Sequence, residues 1–327
     1  MRPHVSDHGP PVGLAAIVAA TSVLGGDGSE SSRVAGVWWL MFGLSAAVYA
    51  VVAGFILVAV VRGRHSGPQP PNARQDERFI WIGGLLMPVV VLGVLAVVTV
   101  TTTRDLRPED PNAVRIEVVG KRWWWDVRYP EDGVASANEV HVPVGRPVDL
   151  VLTSTDVIHS FWVPELAGKV DMVPGQVNHL RFTATRAGVY RGTCAEFCDL
   201  GHANMAFMVV AEPAEDFARW LARGASGSGT MPQAELAASG EVVFLRESCG
   251  GCHTVKGTTA RGRRGPDLSD FGSRRTIAAA TVPNTSENLM EWLRDPTSVK
   301  PGALMPPSRQ IPDEELRALV AYLEGLR

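Results

Sequence analysis

Two long apolar segments limit the possible folds of this chain more than any other feature. Residues 34–61 and 79–100 carry no charged side chain. Each is long enough to cross a bilayer, which takes about 20 consecutive apolar residues. A buried hairpin in a soluble core is the alternative, although uncharged segments of this length are rare there. The sequence therefore predicts a two-helix transmembrane hairpin over residues 34–101.

The orientation of the hairpin follows from the loop that joins its two segments. That loop contains Arg62, Arg64, Arg74 and Arg78. Short loops rich in arginine remain in the cytoplasm. We therefore expect everything after residue 101 to lie on the periplasmic or extracellular side of a bacterial cell membrane.

A shorter apolar segment, residues 11–24, lies near the N-terminus. It is too short to cross a bilayer. It lies between Arg2 and a polar stretch, which is typical of the core of a signal peptide. A disordered tail is the alternative. Residues 1–33 are accordingly expected to be a cleaved signal peptide or an N-terminal tail.

The chain after the hairpin divides into two further domains. Over residues 102–222, short runs alternate between apolar and polar side chains, as in Val114-Arg-Ile-Glu-Val-Val, with glycines and prolines between them. This pattern is typical of an all-β sandwich or barrel. Residues 223–232 are rich in glycine and serine, which predicts a flexible linker. Residues 233–327 then form a separate domain.

One stretch of the β domain gathers soft metal ligands: Cys194-Ala-Glu-Phe-Cys198-Asp-Leu-Gly-His202-Ala-Asn-Met205. Sulfur ligands with imidazole select copper, zinc or iron–sulfur over hard cations, and a methionine argues against zinc. Two thiolates this close can bridge two copper ions. A disulfide between Cys194 and Cys198 is the alternative in an oxidising compartment, but it leaves His202 and Met205 unexplained.

A second motif, Cys249-Gly-Gly-Cys252-His253, is the attachment signature of a c-type haem. The thiols would add to the haem vinyl groups, and His253 would be the proximal ligand. Half of a zinc knuckle or a thioredoxin-like dithiol is the alternative, but no second Cys/His pair follows. Met305, before two prolines, is the expected sixth ligand, whereas Met290 is expected to pack in the core from a helix.

The predicted hairpin and the β domain together, residues 34–222, resemble subunit II of haem–copper cytochrome c oxidases. The resemblance rests on the Cys/His/Met stretch and on the preceding Asp156-Val-Ile-His159-Ser-Phe-Trp-Val-Pro. It implies a cupredoxin-like fold and a binuclear copper centre, CuA. The implied copper ligands are the bridging Cys194 and Cys198, His159 and His202 with one ion each, and, as weak outer ligands, Met205 and the backbone carbonyl of Glu196.

The C-terminal domain resembles an all-α class I cytochrome c, because an opening helix, the haem motif, a Met-Pro loop and a closing helix follow one another. Subunit II followed by a cytochrome c resembles the caa3 type of oxidase, in which the electron donor is fused to its acceptor. A short linker raises the effective concentration of one domain at the other. Docking between them therefore need not be tight.

The same resemblance suggests roles for further side chains. Trp123, the first of three consecutive tryptophans, has the position of the tryptophan through which electrons reach the copper; anchoring or core packing is the alternative. The carboxylate of Glu196 is implied to bind Mg²⁺ at the interface with subunit I, and Asp156 is expected to orient the ligand loop. Arg78 stands where the family has a glutamate at the mouth of a proton path, so the adjacent Glu77 is the candidate for that role.

The resemblance implies a subunit of a caa3-type cytochrome c oxidase, which passes electrons from haem c to the binuclear copper and on to a haem in subunit I. Oxygen reduction and proton pumping would take place in subunit I. The expected partners are subunit I, other oxidase subunits, and soluble cytochrome c or a quinol–cytochrome c reductase complex as donor. The formal charge of −3 gives no indication of nucleic acid binding. Two alternatives stay open: the copper-containing subunit of a nitric oxide reductase of the same superfamily, and a membrane-tethered electron carrier.

Overall fold

The computed structural model describes residues 24, 26–64, 77–105, 110–225 and 235–327. Within them, two long apolar helices precede a β-sandwich and a helical C-terminal domain. This order confirms the predicted fold class. Several predicted segments lie outside the described residues: residues 1–23 of the signal peptide or tail, residues 65–76 of the loop and residues 226–232 of the linker.

The two apolar helices form the N-terminal hairpin. Helix α1 spans Ser29–Gly63. The second helix begins at Glu77, contains a π-helical turn at Ile80–Leu86 and continues as α2 (Met87–Asp105). Among the described residues, both helices are long and apolar enough to cross a membrane, and their most apolar stretches bury no side chain. Helices that are apolar on all sides suit lipid. The π-helical turn lies just before Pro88, which lacks a backbone N–H to donate within a regular α-helix.

Helix α1 begins before residue 34, where the sequence placed the start of the first span. Its first turn is bound to the β-sandwich. The backbone amides of Asp27 and Gly28 each donate to the Glu165 carbonyl at 3.1 Å, and Ser31 Oγ donates to the same oxygen at 2.6 Å. Residues 27–33 therefore belong to the folded part of the chain, which corrects the predicted boundary at residue 33.

Ten strands build the sandwich. They are β1 (Val114–Lys121), β2 (Trp124–Tyr129), β3 (Val134–Ala137), β4 (Glu139–Pro143), β5 (Val148–Ser154), β6 (His159–Trp162), β7 (Val170–Met172), β8 (Asn178–Phe182), β9 (Gly188–Cys194) and β10 (Ala206–Glu212). The order in one sheet is β3-β2-β1-β5-β8, and in the other β4-β10-β9-β6-β7. Alternate residues such as Ile116 and Val118 are fully buried and share one core with Phe161 and Phe207 of the second sheet.

Helix α3 (Ala214–Ala225) follows β10, and its Trp220 packs edge-on against Tyr129 with ring centroids 4.9 Å apart. The C-terminal domain then contains α4 (Glu235–Arg246), the strand pair β11 (Thr276–Ile277) and β12 (Val282–Pro283), α5 (Ser286–Arg294), α6 (Pro296–Val299) and α7 (Asp313–Gly325). Helices α4 and α7 pack together through Phe244 and Tyr322. Met290 packs against this core, as predicted.

The C-terminal domain lies directly against the sandwich. Strand β10 is buried on both faces. Its inward residues Phe207 and Val209 belong to the sandwich core, whereas Ala206 and Met208 contact Ala280 of the C-terminal domain. The sequence did not predict this docking.

Candidate metal and haem sites

The predicted copper ligands converge at one end of the sandwich. Cys194 Sγ lies 3.8 Å from Cys198 Sγ and 3.9 Å from His159 Nδ1. Cys198 Sγ lies 3.6 Å from His202 Nδ1 and 3.8 Å from Met205 Sδ. Each imidazole therefore faces a different sulfur. The sixth group, the Glu196 carbonyl oxygen, lies 3.2 Å from Cys194 Sγ.

Strand pairing brings these ligands together. His159 begins β6 and Cys194 ends β9, and the two strands are antiparallel neighbours. The backbone amide of Cys194 donates to the Met205 carbonyl at 2.9 Å, and that of Ala195 donates to the Ser160 carbonyl at the same distance. These bonds close the base of the ligand loop, so the ligands at its two ends are held beside His159.

Asp156 fixes the orientation of the first imidazole. Its Oδ1 accepts from His159 Nε2 at 2.8 Å and from the Val157 amide at 2.7 Å, while Oδ2 accepts from the Arg122 amide at 2.7 Å. Partial burial opposes ionisation, but these three hydrogen bonds outweigh it and hold the pKa of Asp156 below its usual value. With Nε2 committed to the carboxylate, Nδ1 of His159 is left to bind a metal.

The two thiols titrate as a coupled pair. A hydrogen bond from Cys198 lowers the pKa of Cys194 below its usual value. The same contact raises the pKa of Cys198 above its usual value. One thiol therefore ionises readily, while the other keeps its proton until a cation offsets the added negative charge. Because metals bind thiolates, cation binding here releases a proton.

The chemistry of this donor set fits a copper centre. Both cysteines are free rather than joined in a disulfide. The two sulfurs and the His159 nitrogen lie within 4.8 Å of one another and are buried. Two thiolates, two imidazole nitrogens and a thioether make a soft set that suits copper better than a hard cation. One nitrogen for each sulfur matches a pair of ions bridged by both thiolates.

The haem motif also has the geometry its function needs. Cys249–Gly251 forms a single 3₁₀ turn, and the amides of Cys252 and His253 both donate to the Cys249 carbonyl. His253 Nδ1–H donates to the Pro266 carbonyl at 2.8 Å, which leaves Nε2 for iron. Burial lowers the pKa of His253 and so favours the neutral, metal-binding imidazole.

The backbone at Gly265 packs closely against the imidazole ring of His253. A Cβ at Gly265 would lie 2.5 Å from the imidazole, so only glycine fits beside it. Met305 packs against the same hydrophobic core as Cys249. Two of the residues that the sequence assigned to the haem, Cys249 and Met305, therefore pack on one apolar core, which fits a covalently attached haem.

Both domains match known families. The sandwich matches the model described as cytochrome c oxidase subunit II, periplasmic domain, over residues 133–212, and the C-terminal domain matches cytochrome c over residues 237–327. Cytochrome c oxidase subunit 2 of Alkalihalophilus pseudofirmus is 37% identical over 290 residues, which cover 87% of this chain and 83% of the relative. This chain belongs to the cytochrome c oxidase subunit 2 family.

Two further members of the cytochrome c oxidase subunit 2 family agree. The proteins of Bacillus sp. (strain PS3) and Bacillus subtilis are 34% and 31% identical, over 80% and 85% of this chain and 77% and 83% of their own lengths. Membership of this family, together with the cytochrome c domain, implies a CuA centre and a haem c, the two cofactors that the sequence predicted.

Trp123 lies between the copper loop, residues 194–205, and the C-terminal domain of this subunit. It is buried, and its Nε1–H donates to the Cys198 carbonyl at 2.7 Å. Its ring lies on Gly201 so closely that a Cβ there would come within 2.3 Å of the indole. A Cβ at Gly302 of the C-terminal domain would lie 3.4 Å from Trp123 Cζ3. The ring therefore touches the copper loop and adjoins the loop that carries Met305.

The other predicted site residues stand apart from this cluster. The Glu196 side chain is partly exposed on the copper loop, beside the exposed Phe197. Glu77 is exposed at the start of the second apolar helix. Their predicted roles, in binding Mg²⁺ and in a proton path, stay predictions.

The sequence missed the residues that join the two domains. Lys300 is 4% exposed and Glu139 is 2% exposed, and each makes hydrogen bonds to the backbone of the opposite domain. A single lysine or glutamate in a polar stretch gives no sign that it will be buried. The position of Lys300, five residues before Met305, is a signal only once the docking is known.

Proposed function

We propose that this chain is subunit II of a caa3-type cytochrome c oxidase. It receives electrons at its cytochrome c domain and delivers them through its copper domain to subunit I, where O2 is reduced to water and protons are pumped. The observation that carries this proposal is the position of Trp123. This one side chain contacts the Cys198 carbonyl of the copper loop and adjoins the loop of Met305.

The copper domain would hold two ions through the six groups described above. When bound, the pair supplies a one-electron redox centre whose charge is shared across both ions. The proposed ligands are the bridging Cys194 and Cys198, His159 and His202 on one ion each, and Met205 and the Glu196 carbonyl as weak outer ligands. The protein's part is to keep this set dry and its geometry fixed, and the Asp156 carboxylate holds the His159 ring in place.

The cytochrome c domain would hold haem through thioether bonds from Cys249 and Cys252. His253 would be the proximal ligand, with its tautomer set by the Pro266 carbonyl, and Met305 would be the distal ligand. Methionine–histidine ligation gives a relatively high potential, which suits an electron carrier. Placing this domain beside Trp123 makes the chain its own electron donor to copper.

Two further roles rest on the family resemblance. The carboxylate of Glu196 would bind Mg²⁺ at the interface with subunit I, since its carbonyl faces the copper ligands while its side chain reaches solvent. Mg²⁺ prefers oxygen ligands and keeps several waters, so one protein carboxylate is sufficient. Glu77, at the start of the second apolar helix, would lie at the mouth of a proton path.

The proposed topology places both metal-binding domains outside the cell membrane. The two apolar helices would cross the membrane as a hairpin, with the arginine-containing loop in the cytoplasm. The proposed partners are subunit I and other oxidase subunits, with soluble cytochrome c or a quinol–cytochrome c reductase complex as the donor.

Metal analysis of the chain purified in mild detergent tests this function. We expect two coppers and one haem c per chain, with haem-containing partner subunits co-purifying. Cys198→Ser should abolish the spectrum of an electron shared by two coppers, because a single bridging thiolate cannot hold both ions in the same geometry. His179→Ala is the matched control, since it removes a half-exposed imidazole of β8 that pairs with Asp149. One copper per chain, or zinc, would contradict the binuclear assignment.

Rapid-mixing kinetics test the role of Trp123. Trp123→Phe should slow electron transfer from haem to copper while the copper content stays at two per chain, because phenylalanine cannot donate to the Cys198 carbonyl. An unchanged transfer rate in this variant would remove Trp123 from the path.

A further inference from the structure

The two domains are joined by a hairpin tip with an unusual backbone. Ala278, Ala279 and Ala280 connect β11 to β12, and all three have positive φ angles, of 55°, 59° and 56°. Hairpin turns favour such angles, but glycine or asparagine normally provides them. Three alanines in this conformation need compensating contacts, because the left-handed region is unfavourable for a residue with a Cβ.

The compensation comes from the copper domain. The Ala279 carbonyl accepts from the Ala206 amide at 3.2 Å, and the Ala280 carbonyl accepts from Arg191 Nη1 at 2.9 Å. The left-handed turn thus points its carbonyls at β9 and β10. The base of the same hairpin is also held: the buried carboxylate of Glu139 accepts from the backbone amides of Arg275 at 2.6 Å and Thr276 at 3.2 Å.

Lys300 is a buried lysine of the haem domain at this interface. Its ammonium donates to the Trp123 carbonyl of the copper domain and to the Ala278 carbonyl, at 3.4 Å, of the hairpin tip. Both acceptors are backbone oxygens. Burial lowers the pKa of Lys300 to about 7.

Trp123 connects Lys300 of the haem domain to the proposed copper site. Trp123 accepts from Lys300 through its carbonyl and donates to the Cys198 carbonyl through its indole. Lys300 opens the loop that leads to Met305, and Gly302 of that loop adjoins the indole ring. The loop that leads to Met305 therefore lies against both Trp123 and the copper loop, where a Cβ at Gly302 would come within 3.1 Å of Leu200 Cβ, and Lys300 binds the Trp123 carbonyl beside this contact.

We propose that Lys300 is a positioning residue for electron transfer between the two domains, holding the Met305 loop against Trp123 in a permanently docked arrangement. The haem domain then does not leave and return on its tether in each turnover. The transfer moves one electron from haem to copper, with no bond made or broken. This inference rests on the proposed function, and it goes beyond the expectation from the sequence that docking need not be tight.

Photoreduction of haem c in the full oxidase complex tests the inference. In the unaltered complex, the rate of haem-to-copper transfer should not depend on solvent viscosity, because no domain motion precedes it. Lys300→Met should slow transfer by about tenfold or more, the effect expected from losing a charge-assisted hydrogen bond, and should make the rate viscosity-dependent. Lys300→Arg should restore most of the rate, because a guanidinium can still donate to both carbonyls.

Lys256→Met is the matched control. Lys256 also crosses the interface, donating to the carbonyls of Gly133 at 3.0 Å and Gly224 at 2.8 Å, but it touches neither Trp123 nor the hairpin tip. Its transfer rate should stay within about twofold of the unaltered complex, well under the tenfold effect of 1.4 kcal/mol. Equal slowing by both lysine variants would overturn a positioning role for Lys300.

Two outcomes separate this inference from the proposed function. If haem in the unaltered complex does not reduce copper at all, the proposed function fails. If transfer occurs but slows with viscosity in the unaltered complex, permanent docking is wrong. The second measurement needs no variant, so it decides the question even if Lys300→Met loses haem or copper.

Discussion

Asp156→Asn should weaken copper binding although Asp156 is not a proposed copper ligand. The carboxylate accepts three hydrogen bonds, from His159 Nε2 at 2.8 Å and from the backbone amides of Val157 and Arg122 at 2.7 Å. An asparagine amide has a single acceptor oxygen and carries no charge. The variant must therefore lose the contact on one side of the carboxylate, and it weakens those that remain.

The expected magnitude follows from two independent estimates. Losing one hydrogen bond to a charged group costs about 1.5–3 kcal/mol. Changing a residue that orients a metal-binding histidine typically costs about 10–100-fold in metal affinity, which corresponds to about 1.4–2.8 kcal/mol. The two ranges overlap. We therefore expect the copper affinity of Asp156→Asn to fall by about 10–100-fold.

Competition with a copper chelator, followed by the copper–thiolate absorption, measures this effect. Asp149→Asn is the matched control, because Asp149 also accepts from a histidine, His179 Nδ1 at 3.0 Å, but on strand β5 of the other sheet. The reasoning is refuted if Asp156→Asn binds copper as tightly as the unaltered chain. It is also refuted if Asp149→Asn weakens copper binding to the same extent.

Three further predictions concern the haem ligand, acid stability and processing. Met305→Ala should keep haem covalently attached but lose the absorption band of methionine ligation, whereas Met290→Ala should keep that band. Hydrogen bonds from Thr297 hold the pKa of Asp295 at about 2, below its ordinary 3.8. This carboxylate therefore stabilises the fold above pH 3.8, and the contribution is lost as the pH falls toward 2, so Asp295→Ala should flatten that part of an acid unfolding curve. The intact mass of the mature chain should place its N-terminus at or before Asp27, because residues 27–31 are bound to the sandwich.

Each of these predictions has a contradicting outcome. A methionine band that persists in Met305→Ala and disappears in Met290→Ala would move the axial ligand to Met290. If the acid unfolding curve of Asp295→Ala matches that of the unaltered chain between about pH 4 and 2, the Asp295 carboxylate does not stabilise the fold in this range. A mature N-terminus beyond residue 31 would show that the mature protein folds without the hydrogen bonds between residues 27–31 and the sandwich.

The proposed copper and haem ligands could be picked out from the sequence because their signals are local. Cys194 and Cys198 lie in one loop with His202 and Met205, and the haem motif is continuous. The apolar segments, too, are defined by unbroken composition. In each case the chemical type of neighbouring side chains determines what they can bind or which solvent they suit, so no tertiary contact is needed to predict it.

Contacts between residues that are far apart in the sequence were harder to predict than local ones. Asp156 and His159 are a local pair, and the family pattern indicated that Asp156 orients the ligand loop. The start of α1 was misplaced because hydropathy does not report that Ser31 will donate to the Glu165 carbonyl. Polar residues before an apolar segment look like a tail unless the surface that binds them is known.

The docking of the two domains was decided by the tertiary structure alone. The sequence was enough to predict the two apolar helices and the β and helical domains, and to propose the copper and haem ligands. It could not determine that Lys300 would meet Trp123, or that Ala278, Ala279 and Ala280 would adopt a left-handed turn against β10. The acceptors in these contacts are backbone carbonyls, which every residue has, so no side-chain pattern marks them. Only the folded arrangement of two distant segments selects which carbonyls face the buried lysine.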